Sequence, residues 1–521
     1  MFLIMSAAYI EQELQAEFGK IPPAFLPLGN KRLYERQIEL AKEKYSVAIS
    51  IPLSYKISAI DEKYFCENEV SVIRIPDNLS LGQSLITAIN MSNIDFESSL
   101  DILFGDTLLS SLPDGENIIT TATALGEYNW KNIDEIKPLE KNGLYNKRVI
   151  SGFFRFQYPR QLLRSLSLKH ADFFEGITDY KDSISVSLVH TNDWLDFGHV
   201  NTYFQSKAQF TTERSFNELK INKRYIEKSS IKKLKIQAES NWFDNIPAEM
   251  RIYTPAYLGA SKFDGNFSYK LEYLYLSALN ELYVYGELSI SVWDDVISKC
   301  IEFIKDCLKY RPTVHQSKNI NQLNELLKLK TLERIEKYRQ ESNFDLDKKR
   351  YFNGVEAISV AEIINSIDKY LPEDNGEWIG LLHGDFCFSN ILYDFRGKSI
   401  RVIDPRGINT NNEFTIFGDV RYDIAKLSHS IIGLYDLLIS EFYHLDYDED
   451  EIKFSLELNT EMNGLQKLFL DAVETEFDLS FKTLLSMQIH LFLSMLPLHS
   501  DCEKRQQAIL ANVYRLYHKI D

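Results

Sequence analysis

Three oxygen-bearing side chains in the last third of the chain are spaced for phosphoryl transfer. Asp385 and Asn390 lie five positions apart in the segment 382–390, and Asp404 follows a short apolar segment. An Asp in such a loop can orient and deprotonate an attacking hydroxyl group. Amide and carboxylate oxygens suit the Mg²⁺ that bridges nucleotide phosphates, so Asn390 and Asp404 are candidate metal ligands.

A predicted hairpin positions these side chains. The sequence indicates a strand at 391–393, a turn at 395–398 and a second strand at 400–403, because two apolar segments flank a polar one that contains Gly. Such a hairpin would bring Asn390 and Asp404 together at one end.

The spacing from His383 to Asp404 resembles the catalytic loop and metal-binding Asp of the aminoglycoside phosphotransferase and choline kinase family. The resemblance implies a bilobal α+β protein-kinase-like domain that uses ATP and Mg²⁺ to phosphorylate an alcohol group. Asp385 would be the catalytic residue, Asn390 and Asp404 the metal ligands, and His383 a brace for the loop. Pro405 stands where protein kinases carry the Phe of Asp-Phe-Gly, which fits a small-molecule kinase.

The same resemblance places three ATP-binding candidates earlier in the chain. Lys228 lies on a predicted strand at 224–229, where the family has its phosphate-binding lysine, and Glu239 on the following helix is its expected partner. Glu272 lies in a predicted strand at 269–274 that resembles the hinge contacting adenine. The alternative for the segment around Lys228 is an exposed run of charged residues. The alternative for the strand at 269–274 is an ordinary core strand. Three lysines compete with Lys228: Lys232, Lys233 and Lys235.

Helices are predicted on both sides of the Asp385 segment. Apolar spacing indicates one helix at 291–308 and a charged pair of helices over 320–371, where the resembling family builds its acceptor pocket. Beyond Asp404, either Asp419 or Asp423 is expected to cap a helix and support the loop. Arg406 is either a phosphate contact or an ion-pair partner of one of these two aspartates.

The first two hundred residues predict a parallel sheet with helical crossovers. A strand at 2–8, a helix at 34–44 and a strand at 45–51 give the alternation typical of such sheets. A further apolar strand at 100–104 ends two residues before Asp106. Because open sheets bind ligands at the carboxyl ends of their strands, Asp106 is well placed to hold a metal on a nucleotide.

The order of these elements resembles the sugar-nucleotide pyrophosphorylase (nucleotidyltransferase) family. Asp106 resembles the first metal-binding aspartate, and Asp196 resembles the second. Gln83 lies in a segment that resembles the family's base-recognition turn. Gly152 lies in a segment that resembles the strand contacting the sugar, and Glu175 in one that resembles the segment whose Glu binds the sugar hydroxyls. The resemblance implies a Rossmann-like α/β domain of GT-A type that uses a nucleotide such as CTP, UTP or dTTP.

The phosphate-binding loop of this half departs from the family pattern. In active members the first strand is followed by a glycine-rich loop with an arginine, and a lysine follows the next proline. Here the segment 9–19 carries three glutamates and one glycine, and Pro23 stands in the lysine's place. Glutamates repel a triphosphate, so a modified transferase and a fold retained for binding are both open. The candidate substitutes are Lys20, Lys31 and Arg32.

The composition limits the classes of partner. With 521 residues the chain predicts at least two domains, here 1–206 and 207–521, the second with lobes at 207–280 and 281–521. The net charge of −17 argues against nucleic acid or an anionic membrane surface as the main partner. Five cysteines without metal-ligand spacing and the absence of an apolar run of membrane-spanning length predict a cytoplasmic protein without membrane insertion.

Taken together, the two halves predict a bifunctional enzyme. A kinase would make a phosphate monoester, and a nucleotidyltransferase would convert it into an activated NDP-sugar, polyol or amino alcohol for surface polysaccharide synthesis. Its partners would be nucleotides and a small alcohol or sugar. A kinase with a catalytically inactive binding module is the alternative, and a non-catalytic scaffold is a third. The sequence leaves the oligomeric state open, a homo-oligomer included.

Overall fold

The computed structural model describes residues 1–123, 148–214, 219–230, 233–263, 266–314, 316, 320, 322–448 and 450–520. The chain divides into two compact units. The first comprises Met1–Thr211 and Tyr285–Glu287, and the second comprises Thr212–Val284 and Leu288–Asp521. This division lies near the boundary predicted after residue 206, which stays a prediction.

The first unit alternates strands and helices. Its strands are β1 (Phe2–Met5), β2 (Val47–Pro52), β3 (Ser71–Ile75), β4 (Leu100–Phe104), β5 (Thr107–Leu109), β6 (Ile118–Thr123), β7 (Arg148–Phe156), β8 (Ser187–His190) and β9 (Trp194–Asp196). Its helices are α1 (Gln12–Phe18), α2 (Leu33–Ala41), α3 (Ala59–Glu67), α4 (Leu81–Met91), α5 (Pro159–Leu168), α6 (Phe173–Ser183) and α7 (Val200–Arg214).

Seven of these strands form one sheet in the order β3-β2-β1-β4-β7-β6-β8. Strands β1 to β4 run parallel, and β7 is antiparallel to both β4 and β6. Every residue of β1 and β2 is buried. Both strands are covered on both faces, which explains why their sequences are almost continuously apolar. The first unit is therefore the α/β, Rossmann-like fold that its sequence predicted.

The carboxyl end of β4 carries the first candidate metal ligand. A separate ladder pairs β5 with β9 and places Thr107 opposite Asp196. The N–H of Phe197 also donates to the carbonyl oxygen of Asp106 at 2.8 Å. Because of these two contacts, Asp106 and Asp196 lie side by side although ninety residues separate them in sequence.

The second unit begins with an antiparallel lobe and continues into a mostly helical one. Its strands are β10 (Leu219–Ile221), β11 (Tyr225–Ser229), β12 (Tyr257–Phe263), β13 (Asn266–Glu272), β14 (Ser277–Ala278), β15 (Arg350–Phe352), β16 (Val355–Ile358), β17 (Ile379–Leu381), β18 (Ile391–Asp394), β19 (Ser399–Val402), β20 (Phe417–Asp419), β21 (His444–Tyr447) and β22 (Glu451–Ser455). Its helices are α8 (Lys233–Asn245), α9 (Leu279–Tyr285), α10 (Ile290–Cys307), α11 (Lys330–Ser342), α12 (Val360–Ile367), α13 (Arg421–Ile431), α14 (Tyr435–Ile439), α15 (Thr460–Phe477), α16 (Phe481–Met495) and α17 (Glu503–Tyr517).

The first lobe is a four-stranded sheet in the order β10-β11-β13-β12, with α8 packed against β12 and β13. The second lobe holds the hairpin β18–β19, paired through β14, and surrounds it with helices. This is the bilobal α+β arrangement predicted for the carboxyl-terminal half, and α10 confirms the helix predicted at 291–308.

The helix pair predicted over 320–371 is wrong in its middle. The hairpin β15–β16 lies between α11 and α12 and turns at Asn353 and Gly354. Both turn residues have positive φ, 49° and 75°, as a two-residue hairpin of type I′ requires. The Asn-Gly pair was a local signal for this turn, and the surrounding charge pattern masked it.

One helical stretch of the described chain, Phe481–His499, has the length and apolar composition of a membrane span. Within the unit, 72% of that stretch is buried, and the core helix of a soluble protein meets the same criterion.

Helix α8 is held against the second lobe by close contacts. The indole Nε1 of Trp242 donates to the carbonyl oxygen of Leu382 at 2.8 Å. Gly407 lies so close to α8 that a Cβ placed on it would be 2.1 Å from the carbonyl oxygen of Ala238. These contacts fix α8 relative to the loop that holds Asp385.

We predict that Gly407→Ala destabilises the second unit by about 2 to 5 kcal/mol, the sum of a left-handed backbone and a steric clash. Gly354→Ala is the matched control, because its φ of +75° is similar to the +62° of Gly407 and no atom lies within 4 Å of its Cβ position. The control should cost only about 1 to 2 kcal/mol. Denaturant unfolding measures both, and equal losses would contradict the close packing of α8.

Candidate functional site

The hairpin β18–β19 brings the two predicted metal ligands of the second unit together. Ile391 pairs with Val402, and the Ile403 N–H donates to the Asn390 carbonyl oxygen at 3.0 Å. Asn390 therefore enters the hairpin where Asp404 leaves it. Asp404 has a φ of +57°, a left-handed conformation that costs a non-glycine residue about 1 kcal/mol or more and is often found at functional sites.

Asp385 is held from two sides within residues 382–390, the Asp385 loop. The Asn390 amide donates to Asp385 Oδ2 at 2.9 Å, and Lys426 Nζ lies 2.7 Å from Oδ1. Burial alone would raise the pKa of Asp385, but Lys426 outweighs it and lowers the pKa to about 2. Asp385 is therefore ionised and aimed, which suits it to orienting a hydroxyl group more than to removing its proton early.

His383 has the bracing position expected from its sequence. Its Nδ1 accepts the N–H of Asp385 at 3.3 Å, and its Nε2 lies 3.0 Å from the carbonyl oxygen of Ile403. One accepting and one donating nitrogen indicate the neutral ring with the proton on Nε2. Burial lowers the pKa of His383 to about 4, so the ring stays neutral at physiological pH.

A buried carboxylate on α13 supports the same loop. Asp423 accepts the N–H groups of His383 and Gly384, both at 2.8 Å. Asp419 pairs instead with Arg421, whose Nη2 lies 2.5 Å from Oδ2. The ion pair considered for Arg406 with one of these aspartates is wrong, because among the described residues the ion-pair partner of Asp419 is Arg421 and Asp423 accepts backbone N–H groups.

Lys228, Glu239 and Asp404 come together although three different elements carry them. Lys228 Nζ bonds Asp404 and lies 3.6 Å from Glu239 Oε2, which also accepts the hydroxyl of Tyr269 at 2.6 Å. Burial would lower the pKa of Lys228, but Asp404 and Glu239 outweigh burial and raise it. The ammonium group thus lies against Asp404, the predicted metal ligand, which is where a cation is needed.

The competing lysines are less well placed. Lys235 lies 3.7 Å from Glu239 Oε1, but 69% of its side chain is exposed. Lys232 lies outside the described residues, as does the side chain of Lys233. Among the described lysines of this segment, Lys228 alone contacts both Glu239 and Asp404.

Glu272 is the last residue of β13, at the start of the predicted hinge. Its N–H donates to the carbonyl oxygen of Ala256 at 2.9 Å, and its carboxylate accepts the N–H of Ala256 at 3.3 Å. The side chain is exposed, and its partner Ala256 is the residue before β12. An adenine contact through this residue stays a prediction.

The donor set of the second unit fits a nucleotide-bound Mg²⁺. No group of three or more His, Cys, Asp or Glu side chains forms a metal site in the part of the chain that is described. Mg²⁺ often takes only one or two protein ligands and completes its shell with phosphates and water. Asn390 and Asp404 meet that requirement.

The first unit contains a cavity of about 370 Å³ at the carboxyl ends of its strands. Asp106 and Asp196 both line it, and a Cβ on Gly198 would lie 2.8 Å from one carboxylate and 3.4 Å from the other. Burial first, and then Asp196, raises the pKa of Asp106 to about 7. Asp196 Oδ2 is buried without a hydrogen-bond partner. Two buried carboxylates, one of which has an oxygen without a hydrogen-bond partner, fit a divalent cation.

The charge of this cavity is unfavourable for a triphosphate. Besides the two aspartates it is lined by Glu11, whose Oε2 lies 2.7 Å from His199 Nδ1. Neither lysine nor arginine lines it among the described residues. Lys20 lies 4.3 Å from the centre of the ring of Tyr9, which is a lining residue.

The other two candidate substitutes have structural partners. Lys31 pairs with Glu39 at 2.9 Å. Arg32 is buried, lies 3.4 Å from Asp61 and donates to the carbonyl oxygen of Phe25 at 3.0 Å. Only Lys20 therefore remains a candidate for replacing the missing phosphate-binding cations.

The predicted substrate-binding residues of this unit separate into two groups. Gly152 lines the cavity. Gln83 instead closes a capping box at the start of α4, where its Oε1 accepts the N–H of Ser80 at 2.9 Å. Glu175 is exposed in the first turn of α6, and its N–H donates to the side chain of the N-cap residue Asp172. The structure therefore does not bring Gln83 or Glu175 into the cavity.

Three residues that contact carboxylates of the two candidate sites were not predicted from the sequence. Lys426 and Tyr269 touch the two key carboxylates of the second unit, and His199 touches Glu11 in the first. Lys426 lies one helical turn after Asp423, so it shares the helix face that supports the Asp385 loop. That spacing was the available signal.

No protein-family model and no curated protein matches the chain. Solved structures do. A protein assigned as a glucose-1-phosphate thymidylyltransferase from Bacillus anthracis is 11% identical, with a TM-score of 0.32 over 42% of this chain and 96% of that chain. The inositol-1-phosphate CTP transferase from T. maritima is 13% identical, with a TM-score of 0.30 over 40% of this chain and 96% of that chain. A protein assigned as an aminoglycoside phosphotransferase from Ralstonia eutropha is 12% identical, with a TM-score of 0.36 over 57% of this chain and 86% of that chain.

The first two structures correspond to the amino-terminal part and the third to the carboxyl-terminal part. They are of the two kinds that the sequence motifs resemble. At these identities and TM-scores the names describe those proteins, and roles in this chain have to be argued from its own side chains.

We predict that Mn²⁺ binding to the first unit strengthens as the pH rises through about 7. A proton on Asp106 competes with the metal below its pKa of about 7, so binding at pH 6 should release more protons than binding at pH 8.5. Calorimetry in buffers of different ionisation enthalpy measures this release, in an Asp404→Asn background that removes the second site.

Asp106→Asn should abolish both the binding and the proton release. Asp193→Asn is the control, since this exposed carboxylate hydrogen-bonds Ser110 and does not line the cavity. Equal affinity at pH 6 and 8.5 would contradict the assignment.

Proposed function

We propose that the second unit is an ATP-dependent kinase acting on the hydroxyl group of a small molecule. The observation that carries the proposal is the convergence of Lys228, Glu239 and Asp404 beside Asp385 and Asn390. Phosphoryl transfer needs a positioned hydroxyl, a cation on the donor phosphates and a metal site, and these residue types supply each of them.

In the proposed reaction the acceptor oxygen attacks the γ-phosphorus of ATP in line with the leaving group. A new oxygen–phosphorus bond forms, the bond from the γ-phosphorus to the β–γ bridging oxygen breaks, and ADP leaves with that electron pair. Asp385 holds the hydroxyl and receives its proton late, because its pKa of about 2 makes it a weak base. The proton then passes to solvent.

The cations around ATP have separate tasks. Bound Mg²⁺ would neutralise charge on the β- and γ-phosphates, with Asn390 and Asp404 as its protein ligands. Lys228 would exchange its contact with Asp404 for one with the phosphates, while Glu239 keeps it in place. Glu272 would mark the strand end where adenine binds.

For the first unit we propose a metal-dependent nucleotidyltransferase. The pair Asp106 and Asp196, which line a cavity of about 370 Å³, supports this proposal. The two activities would be consecutive, since the phosphate monoester from the kinase can attack the α-phosphate of an NTP. The product would be an NDP-activated sugar, polyol or amino alcohol for surface polysaccharide, made in the cytoplasm.

A second candidate for the first unit is a catalytically inactive binding module. The acidic cavity favours it, because Glu11 lines the space in which the family holds its triphosphate and Lys20 is the sole basic substitute nearby. Such a module would recognise an NDP-linked product rather than make it.

We predict that Asp385→Asn lowers ATP-dependent phosphorylation by about 10²- to 10⁴-fold, the usual contribution of a positioned acid–base group. The assay follows a panel of sugars, polyols and amino alcohols by phosphorus NMR. Asp345→Asn is the control, an exposed carboxylate whose bond is to the N–H of Asp347. Turnover by the Asp385 variant at the control's rate would sink the kinase mechanism.

We predict that Asp196→Asn abolishes pyrophosphate release from the preferred NTP and a phosphate monoester, while phosphorylation by the second unit continues. The reason is that the metal would lose one of its two protein ligands. Coupled detection of pyrophosphate measures the loss. If the wild type releases none with any of CTP, UTP, dTTP, GTP or ATP, the binding-module alternative holds instead.

A further inference from the structure

The second unit carries a group of basic side chains beside the Asp385 loop, of which the proposed kinase mechanism uses only Lys426. Lys330 and Arg334 lie one turn apart on α11, Arg406 follows Asp404 by two residues, and Lys426 pairs with Asp385. We call these four residues the basic cluster. The chain as a whole has a net charge of −17, so a local excess of positive charge is a candidate binding site for an anion.

Tyr422 joins the members of the cluster. Lys330 Nζ lies 3.3 Å from the Tyr422 hydroxyl and 5.7 Å from its ring centre. Lys330, Lys426 and Arg406 together lower the pKa of this buried tyrosine, against a burial that would raise it. Arg406 also runs along the loop itself, since a Cβ on Gly384 would lie 2.7 Å from the Arg406 Cβ. The cluster therefore reaches the residue next to Asp385.

The positive charge is poorly balanced. Of the four side chains only Lys426 forms an ion pair with a carboxylate in the part of the chain that the structure describes, and that carboxylate is Asp385. Glu333 acts on Arg334 without forming an ion pair with it. Burial, Arg406, Arg334 and Lys426 together lower the pKa of Lys330 to about 8, so the site disfavours its own charge when empty of an anion.

The cluster is anchored rather than loose. Thr331 donates to the carbonyl oxygen of His490 at 2.8 Å, and Arg334 Nη1 donates to that of Ser494 at 3.0 Å, so the first turns of α11 are tied to α16. A π-helical turn at Glu325–Leu329 leads directly into Lys330. Such turns are rare in helices and occur often at functional sites.

From this geometry we infer that the kinase acceptor is an anion: a hydroxyl compound that already carries a phosphate or carboxylate group. Its anionic group binds Lys330, Arg334 and Arg406, and its hydroxyl faces Asp385. The inference rests on the proposed kinase function and narrows its substrate class. It excludes an acceptor whose only charge is an ammonium group, because that charge would meet the cations Lys330, Arg334 and Arg406.

The test is calorimetric titration of inorganic phosphate into the full chain saturated with Mg²⁺ and the non-hydrolysable analogue AMP-PNP, which fills the γ-phosphate position. The wild type should bind phosphate, and the double variant Lys330→Met, Arg334→Met should bind it at least 10-fold more weakly. Lys337→Met is the matched control on the same helix, because Lys337 is exposed and pairs with Glu341. It should bind phosphate as the wild type does.

Two further measurements keep the result decisive. The charge-conserving pair Lys330→Arg, Arg334→Lys should restore phosphate binding, and the single variants Lys330→Gln and Arg334→Gln replace the double variant if it unfolds. Choline, a cationic alcohol, should not bind the wild type. Phosphate bound equally by the charge-removing variants, no phosphate binding by the wild type, or binding of choline would overturn the inference. Failure of AMP-PNP itself to bind would instead overturn the proposed kinase function.

Discussion

A lysine held between two carboxylates is the interaction on which the second unit's site depends. Lys228 comes from β11, Glu239 from α8, and Asp404 follows β19, so the contact forms only when both lobes are folded and correctly placed. A buried carboxylate without a cationic partner is costly, and removing one member of such a group commonly costs several kcal/mol. The same contact therefore helps to fix α8 and holds the Lys228 ammonium group beside Asp404.

The geometry of α8 is set by close packing as much as by charge. The carbonyl oxygen of Ala238 leaves no room for a side chain at residue 407, and Trp242 ties the helix to the start of the Asp385 loop. From the opposite side, Asp423 holds the backbone of that loop through two N–H groups. Asp385 thus sits on a backbone that two elements hold in place, which is the preorganisation that the proposed phosphoryl transfer would require.

The features that the sequence could predict are those set by residues close together in the chain, such as hairpins, turns and helix caps. The apolar segments around the turn at 395–398 specified the β18–β19 hairpin, and the hairpin brings together Asn390 and Asp404, which residue type and spacing had singled out. The Asn353-Gly354 turn and the Ser80–Gln83 capping box were equally local signals; the first was overlooked and the second was taken for a base-recognition turn. The spacing of Asp423 and Lys426 on α13 was a further local signal, and it was also overlooked. The basic cluster around Tyr422 depends on how α11, α13 and α16 pack, and no spacing in a single sequence gives that packing.

The most direct test of the central claim is a crystal structure of the chain with Mn²⁺ and AMP-PNP, using the anomalous signal of the metal. The account predicts Mn²⁺ between Asn390 and Asp404, Lys228 against the phosphates with Glu239 still beside it, and the terminal phosphate facing Asp385. Nucleotide and metal found at Asp106 and Asp196 alone, with Lys228 still bonded to Asp404, would contradict it.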